Sequence, residues 1–225
     1  MSVEPFRVDA VLFDLDGTLL DTINDLGEAA NRMLAELARP QRSLEEIRSF
    51  VGQGIPHLVM RCMTEGSEAS DADIEGAIAL FRRHYAEVNG SRCRVYPGVI
   101  ETLGAMRQRG LRLAVVTNKA EPFTLPLLER MGLAEFFAAV VCGDTLPVRK
   151  PDPEVLRHAC RLLGTETDRA VMIGDSVNDA QAARGAGIPV LLVTYGYSEG
   201  QPVDTIECDG LLSNATESLD RIAAI

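Results

Sequence analysis

The chain has 225 residues, 46% of them hydrophobic and 24% charged, a balance that can bury a sizeable core and excludes a disordered protein. Its formal net charge of -11 argues against nucleic acid and anionic membranes as partners. An anionic substrate would therefore have to be held by local cations.

No stretch reaches the roughly 18 uncharged apolar residues of a membrane span. The start, Met1-Ser2-Val3-Glu4-Pro5, lacks the basic segment and apolar run of a signal peptide. Cys62, Cys93, Cys142, Cys160 and Cys208 are scattered without C-x-x-C spacing. They read as free thiols in a reducing, cytoplasmic compartment rather than as a zinc site or a disulfide framework.

In chain order, the first apolar run is Val11-Leu12-Phe13, followed by Asp14-Leu15-Asp16-Gly17-Thr18. A short continuous run of this kind predicts a strand buried on both faces of a parallel sheet. Residues 21–92 then change period. Ile23, Leu26, Ala30, Met33, Leu34 and Leu37 recur at helical spacing, and Ser43-Leu44-Glu45-Glu46 forms a capping box. A third helix carries Leu58, Val59 and Met63, and a fourth covers about 72–88. Gly52 and Gly54 interrupt the series in a loop where backbone could approach a ligand closely.

Further apolar runs follow at 111–117, 138–142, 170–174 and 190–193. The helical patterns between them cover 101–109, 123–131, a stretch entered at Asp152-Pro153 and running to Leu163, and 179–186, each closed by a glycine. The alternation predicts an α/β fold, a Rossmann-like parallel sheet flanked by helices. Roughly 95 residues separate the first two strands, against about 20 to 32 between the later ones. Residues 21–92 are therefore expected to form an inserted helical domain, with 1–20 and 93–225 as the α/β core.

Ligands of open α/β sheets sit beyond the carboxyl ends of the strands. Those ends carry Asp14 and Asp16, then Thr117, Asn118 and Lys119, then Lys150 after the third run, then Asp175 and Asp179. Clustered carboxylates without a nearby histidine suit a hard divalent cation such as Mg²⁺. An ionised Asp14 can attack phosphorus without a neighbouring base, and Asp16 can supply a proton to the leaving oxygen. A neighbouring carboxylate and a phosphate dianion both favour the protonated form that Asp16 needs for that role. Thr117, Asn118 and Lys150 are the expected donors to the phosphoryl oxygens. The metal set is Asp14, Asp16 and Asp175, two carboxylates with one backbone carbonyl. Asp179 is expected behind them, orienting metal-bound water or Lys150. Lys119 is expected to point elsewhere, and Arg61, Arg82, Arg83, Arg92 and Arg94 are the cations available on the side of the helical domain, most of them expected on solvated faces.

Asp14-Leu15-Asp16-Gly17-Thr18, Thr117-Asn118-Lys119, Lys150-Pro151-Asp152-Pro153 and Gly174-Asp175-Ser176-Val177-Asn178-Asp179 resemble, in order, the four motifs of the haloacid dehalogenase superfamily. The segment Val51-Gly52-Gln53-Gly54 and the tail Thr194-Tyr195-Gly196-Tyr197 look like those of its phosphoglycolate phosphatase subgroup. The resemblance implies a Mg²⁺-dependent phosphomonoesterase working through an aspartyl-phosphate, with 2-phosphoglycolate as substrate and residues 21–92 as a cap. The metal-free dehalogenases of the superfamily lack an aspartate at the position of Asp16, so its presence favours phosphate esters. Other readings are a sugar-phosphate phosphatase, a β-phosphoglucomutase-like transferase and, outside enzymes, a receiver-like signalling module. The partner is expected to be a small anionic phosphate ester, and the chain a monomer or a dimer.

Overall fold

The computed structural model describes residues 4–64 and 69–225; residues 1–3, where part of the signal-peptide reading falls, lie outside them. The chain runs through β1 (Phe6–Val8), β2 (Ala10–Phe13) and β3 (Leu20–Asp21). Four helices follow: α1 (Ile23–Glu36), α2 (Leu44–Phe50), α3 (Ile55–Thr64) and α4 (Asp71–Val88). It then re-enters the sheet region with β4 (Arg94–Val95), α5 (Val99–Gln108), β5 (Arg112–Val116), α6 (Glu121–Arg130) and β6 (Ala139–Val141). After these come α7 (Glu154–Leu163), β7 (Ala170–Gly174), α8 (Val177–Ala186) and β8 (Val190–Val193). It closes with β9 (Gly210–Leu212), α9 (Ser218–Arg221) and β10 (Ile222–Ala224).

Six strands form one parallel sheet in the order β6-β5-β2-β7-β8-β9. Side chains on a strand alternate between faces, and each central strand feeds two cores. Val11 and Phe13 of β2, with Leu113, Val115, Val171 and Ile173, pack toward α5 and α6. Ala10 and Leu12, with Ala114, Val116, Ala170 and Met172, pack toward α7 and α8. Burial on both faces is why these runs read as unbroken apolar segments. Three pairings lay outside the sequence reading: β9 at the sheet edge, the terminal pair β1–β10, and the antiparallel ribbon β3–β4. All involve two- or three-residue strands, too short to carry a period.

The helical segment has its own apolar cluster, built from Ile23, Leu26, Met33, Leu34, Ile47, Leu58, Val59 and Phe81, among others. Phe123 and Tyr197 reach into it from the sheet side. The expected capping box forms: Ser43 Oγ accepts from the Glu46 amide at 3.2 Å, and Glu46 accepts from the Ser43 amide at 2.7 Å. Both crossings between the segments pass through the ribbon, where Leu20 pairs with Val95 and Asp21 with Arg94.

Several boundaries differ from expectation, α5 and α6 each starting two residues earlier than the pattern marked, at Val99 and Glu121. At α7 the cap position is Pro153, with Asp152 accepting from the Glu154 amide at 2.9 Å. The helix expected over 179–186 begins at Val177, because the Asp179 carboxylate accepts the Ser176 amide and so starts the turn two residues earlier. The five cysteines are unpaired; Cys62, Cys142 and Cys160 are buried. No helix among the described residues is long and apolar enough to cross a membrane.

Candidate active site

Asp14 follows β2 directly, and its amide donates to the Ile173 carbonyl at 2.9 Å, which holds it at the sheet's carboxyl edge. Gly17 then turns the chain at φ +89°; a β-carbon there would stand 2.3 Å from Asp175 Oδ2. Both the backbone conformation and the close approach demand glycine.

Lys150 is the centre of a buried ion cluster. Its Nζ donates to Asp14 Oδ1 at 2.6 Å and to Asp179 Oδ1 at 2.7 Å. Asp179 Oδ2 accepts the amides of Asp175 and Ser176, at 3.2 and 3.1 Å, and the Ser176 hydroxyl at 2.9 Å. Every oxygen of Asp179 is thus engaged, and it orients Lys150. Asp175 Oδ2 accepts the Tyr197 amide at 2.6 Å. Asp14 Oδ2 accepts no hydrogen bond among the described residues.

Carboxylate oxygens of Asp14, Asp175 and Asp179 lie within 4.8 Å of one another. Burial pushes the Asp14 carboxyl up to about 7, with Lys150 pulling against it and the Asp179 charge adding to it. Asp175 is raised well above the usual carboxylate range by burial, then by the charges of Asp14 and Asp179. Burial alone would lower Lys150, but Asp14 and Asp179 outweigh it and hold the ammonium charged. One lysine does not balance three buried carboxylates, and all their donors are hard oxygens. The cluster fits a divalent cation.

Asp16 stands apart from this cluster. Its Oδ1 accepts from the Thr22 hydroxyl at 2.6 Å and from Lys119 Nζ at 2.9 Å; Oδ2 accepts from Lys119 Nζ at 3.0 Å. The expectation that Lys119 points elsewhere is corrected here. It is 6% exposed and enters the same pocket, its charge secured by Asp16 against the opposing effect of burial. Neighbouring loop residues do not alternate as strand residues do, so the strand-based reasoning failed.

Thr117 Oγ1 accepts the Lys119 amide at 3.2 Å, which leaves its O–H free to donate. The Asn118 side chain is spent on backbone. Its Nδ2 donates to the carbonyls of Gly52 and Lys150 at 2.8 and 2.9 Å, and its Oδ1 accepts the Lys150 amide at 2.9 Å. It ties the loop between α2 and α3 to the loop that presents Lys150. Gly52 and Gly54 line the pocket together with Asp14, Asp16, Thr117, Asn118, Lys119, Lys150 and Asp175. None of Arg61, Arg82, Arg83, Arg92 and Arg94 does so.

Tyr85, which the sequence reading passed over, and Tyr197, which it read only as part of the tail Thr194-Tyr195-Gly196-Tyr197, also line it. The Tyr197 hydroxyl accepts the Thr22 amide at 2.7 Å and donates to Asp21 at 3.0 Å, bridging the tail to the first crossing. Helical spacing marks Tyr85 only as a core position, and Tyr197 has no period to read.

The profile of the haloacid dehalogenase-like hydrolases matches residues 11–193. The chain belongs to this family. It is 46% identical over 216 residues to a phosphoglycolate phosphatase of Thiobacillus denitrificans, covering 95% of each chain. To a phosphoglycolate phosphatase of Nitrosospira multiformis it is 48% identical over 217 residues, again covering 95% of each. Among solved structures it is similar to a predicted phosphoglycolate phosphatase of Haemophilus somnus. The TM-score there is 0.90 at 31% identity, over 94% of this chain and 96% of that one. As a haloacid dehalogenase-like hydrolase the chain is an enzyme, and its parallel sheet is the family's fold.

Proposed function

We propose that the protein is a Mg²⁺-dependent phosphomonoesterase that hydrolyses 2-phosphoglycolate to glycolate and phosphate, with residues 21–92 acting as its cap. The observation that carries the reading is the convergence, in one pocket, of Asp14 beside Lys150, a second carboxylate two residues on, and the Thr117 hydroxyl. Relatives named phosphoglycolate phosphatase over nearly the whole chain support the substrate.

Asp14 and Asp175, with the Asp16 backbone carbonyl, are the groups proposed to hold Mg²⁺, since the oxygens of Asp179 are already occupied. Bound there, the ion would offset the repulsion between Asp14 and an incoming phosphate dianion. The Thr117 hydroxyl and the Lys150 ammonium hold the phosphoryl oxygens and favour the charge spread over them in the transition state. Asp14 Oδ2 attacks phosphorus; a new O–P bond forms as the ester O–P bond breaks. Asp16 gives its proton to the departing alkoxide, releasing glycolate. Asp16 then takes a proton from a water that attacks the phospho-Asp14 phosphorus, and phosphate leaves with Asp14 restored. The apolar side of the pocket, Leu26, Val51, Ile55 and Leu58, excludes other water from the acyl phosphate.

The test is a panel of phosphate monoesters assayed with Mg²⁺, with acid-quenched labelling of the enzyme. The expected result is the highest kcat/KM for 2-phosphoglycolate and a phosphoenzyme lost in Asp14→Asn. A sugar phosphate turned over faster, or label retained in Asp14→Asn, would refute it.

A further inference from the structure

On the pocket wall formed with α4, a cation and a hydroxyl stand together with capacity that the steps above leave unused. An ammonium has three N–H donors. Lys119 directs Nζ at the two oxygens of Asp16, at 2.9 and 3.0 Å, so at least one donor remains. Its Nζ also lies 4.9 Å from the centroid of the Tyr85 ring. Tyr85 is fully buried, and its hydroxyl has no hydrogen-bond partner among the described residues, with the Lys119 ammonium its charged neighbour. A buried hydroxyl without an acceptor is destabilising, and this one belongs to a residue that lines the pocket. Its neighbours there from the helical segment are apolar: Leu26, Ile55 and Leu58. Of the other acids that line the pocket, Asp14 and Asp175 belong to the cluster around Lys150, and Glu199 is turned onto Asn178 and Gln53.

We infer that Lys119 and Tyr85 form an anion subsite that takes the carboxylate of the leaving group and so sets the enzyme's preference for short carboxylated phosphate esters. The inference rests on the proposed reading, in which Asp16 meets the ester oxygen. In an O–CH₂–COO⁻ leaving group the carboxylate oxygens are only three bonds from that ester oxygen. A cation touching Asp16 is therefore within reach of the carboxylate. The ammonium and the phenol offer one donor each to its two oxygens, and the charge-assisted bond is the stronger. A leaving group without the anion leaves both donors unpaired, which a polar site penalises far more than a missing methylene. A bulkier leaving group meets Leu26, Ile55 and Leu58. Lys119 thus supplies the charge that none of the helical segment's candidate arginines brings to the pocket.

The experiment compares kcat/KM for 2-phosphoglycolate with that for ethyl phosphate, which keeps the ester and loses the carboxylate. The proteins are wild type, Lys119→Gln and Tyr85→Phe. The wild type should prefer 2-phosphoglycolate. Lys119→Gln should reduce that preference by about 30-fold or more, the scale of truncating one partner of a buried charge pair. Tyr85→Phe should reduce it by about tenfold while melting no lower than wild type, which a purely structural tyrosine would not do. If Lys119→Gln fails to fold, Tyr85→Phe carries the test alone. A preference unchanged in both variants, with any loss shared equally by the two esters, overturns the subsite and leaves the phosphatase reading standing. A wild-type enzyme that treats the two esters alike overturns the subsite and the 2-phosphoglycolate assignment together.

Discussion

Removing divalent ions should make the folded state lose stability as pH rises, and restoring Mg²⁺ should cancel that loss. The cause is the cluster around Lys150. Carboxylate oxygens of Asp14, Asp175 and Asp179 lie within 4.8 Å of one another, where two like charges repel by about 3.5 kcal/mol or more at an effective dielectric of about 20. Burial is the larger cause, and with that repulsion it lifts Asp14 from 3.8 to about 7 against the pull of Lys150. A carboxyl with a folded pKa above its unfolded value binds more protons folded than unfolded between the two. Its contribution to stability is therefore complete below the lower value and is lost as pH rises through the upper one. Across about three pH units this amounts to as much as about 4 kcal/mol. In a chain of this size that is a fall in Tm on the order of 10 °C between pH 4 and pH 7. Mg²⁺ at about a hundred times its Kd would contribute about 2.7 kcal/mol, and more at pH 8 than at pH 6, because binding displaces the proton. Scanning fluorimetry across pH, with chelator and with Mg²⁺, reads both effects. Asp14→Asn serves as the control that removes the titrating group. Parallel pH curves for the two proteins, or an equal response to Mg²⁺, would refute the reasoning.

Three further outcomes are expected. Asp16→Ala should slow both formation and hydrolysis of the phosphoenzyme, by about 10²–10⁴-fold; stopped-flow phosphate release with acid quench separates the steps, and an effect confined to product release would contradict the acid–base role. Gly17→Ala should abolish the response of Tm to Mg²⁺, because the new methyl meets Asp175 Oδ2 while the backbone holds φ +89°. Calorimetric titration with Mg²⁺ checks this directly. Tyr197→Phe removes the donor to Asp21 and the acceptor of the Thr22 amide, and should cost about 1–3 kcal/mol in urea unfolding.

How much of this was legible beforehand depended on whether a residue's role is written in a period or in a contact. Strands β2, β5, β7 and β8 and the four helices of residues 23–88 carry strong patterns, and their type and order were readable; β6 is only three residues long but sits in the longer apolar run 138–142. The polar residues at the strand ends were readable too, since a carboxylate after a buried strand has no structural reason to be there. Side-chain direction in loops was not readable. Lys119 was expected to point away, yet it pairs with Asp16. Asn118 stood among the expected phosphate donors, and its amide is committed to the Gly52 and Lys150 peptides. Neither choice depends on anything local: each follows from which distant backbone the fold brings alongside. The same holds for Tyr85, whose place on α4 follows from apolar spacing and whose exposure to the pocket does not.

The position of β2 bears on how the chain is made. Its sheet neighbours, β5 and β7, are about 100 and 160 residues further on, whereas α1 to α4 share one apolar cluster made mostly of their own residues. During synthesis from the amino end, those four helices emerge and collapse while the strand that carries Asp14 still waits unpaired. The scaffold of Asp14 is therefore the first part translated and among the last completed, and a ribosome stalled shortly before residue 170 would display a helical bundle on an unfinished sheet.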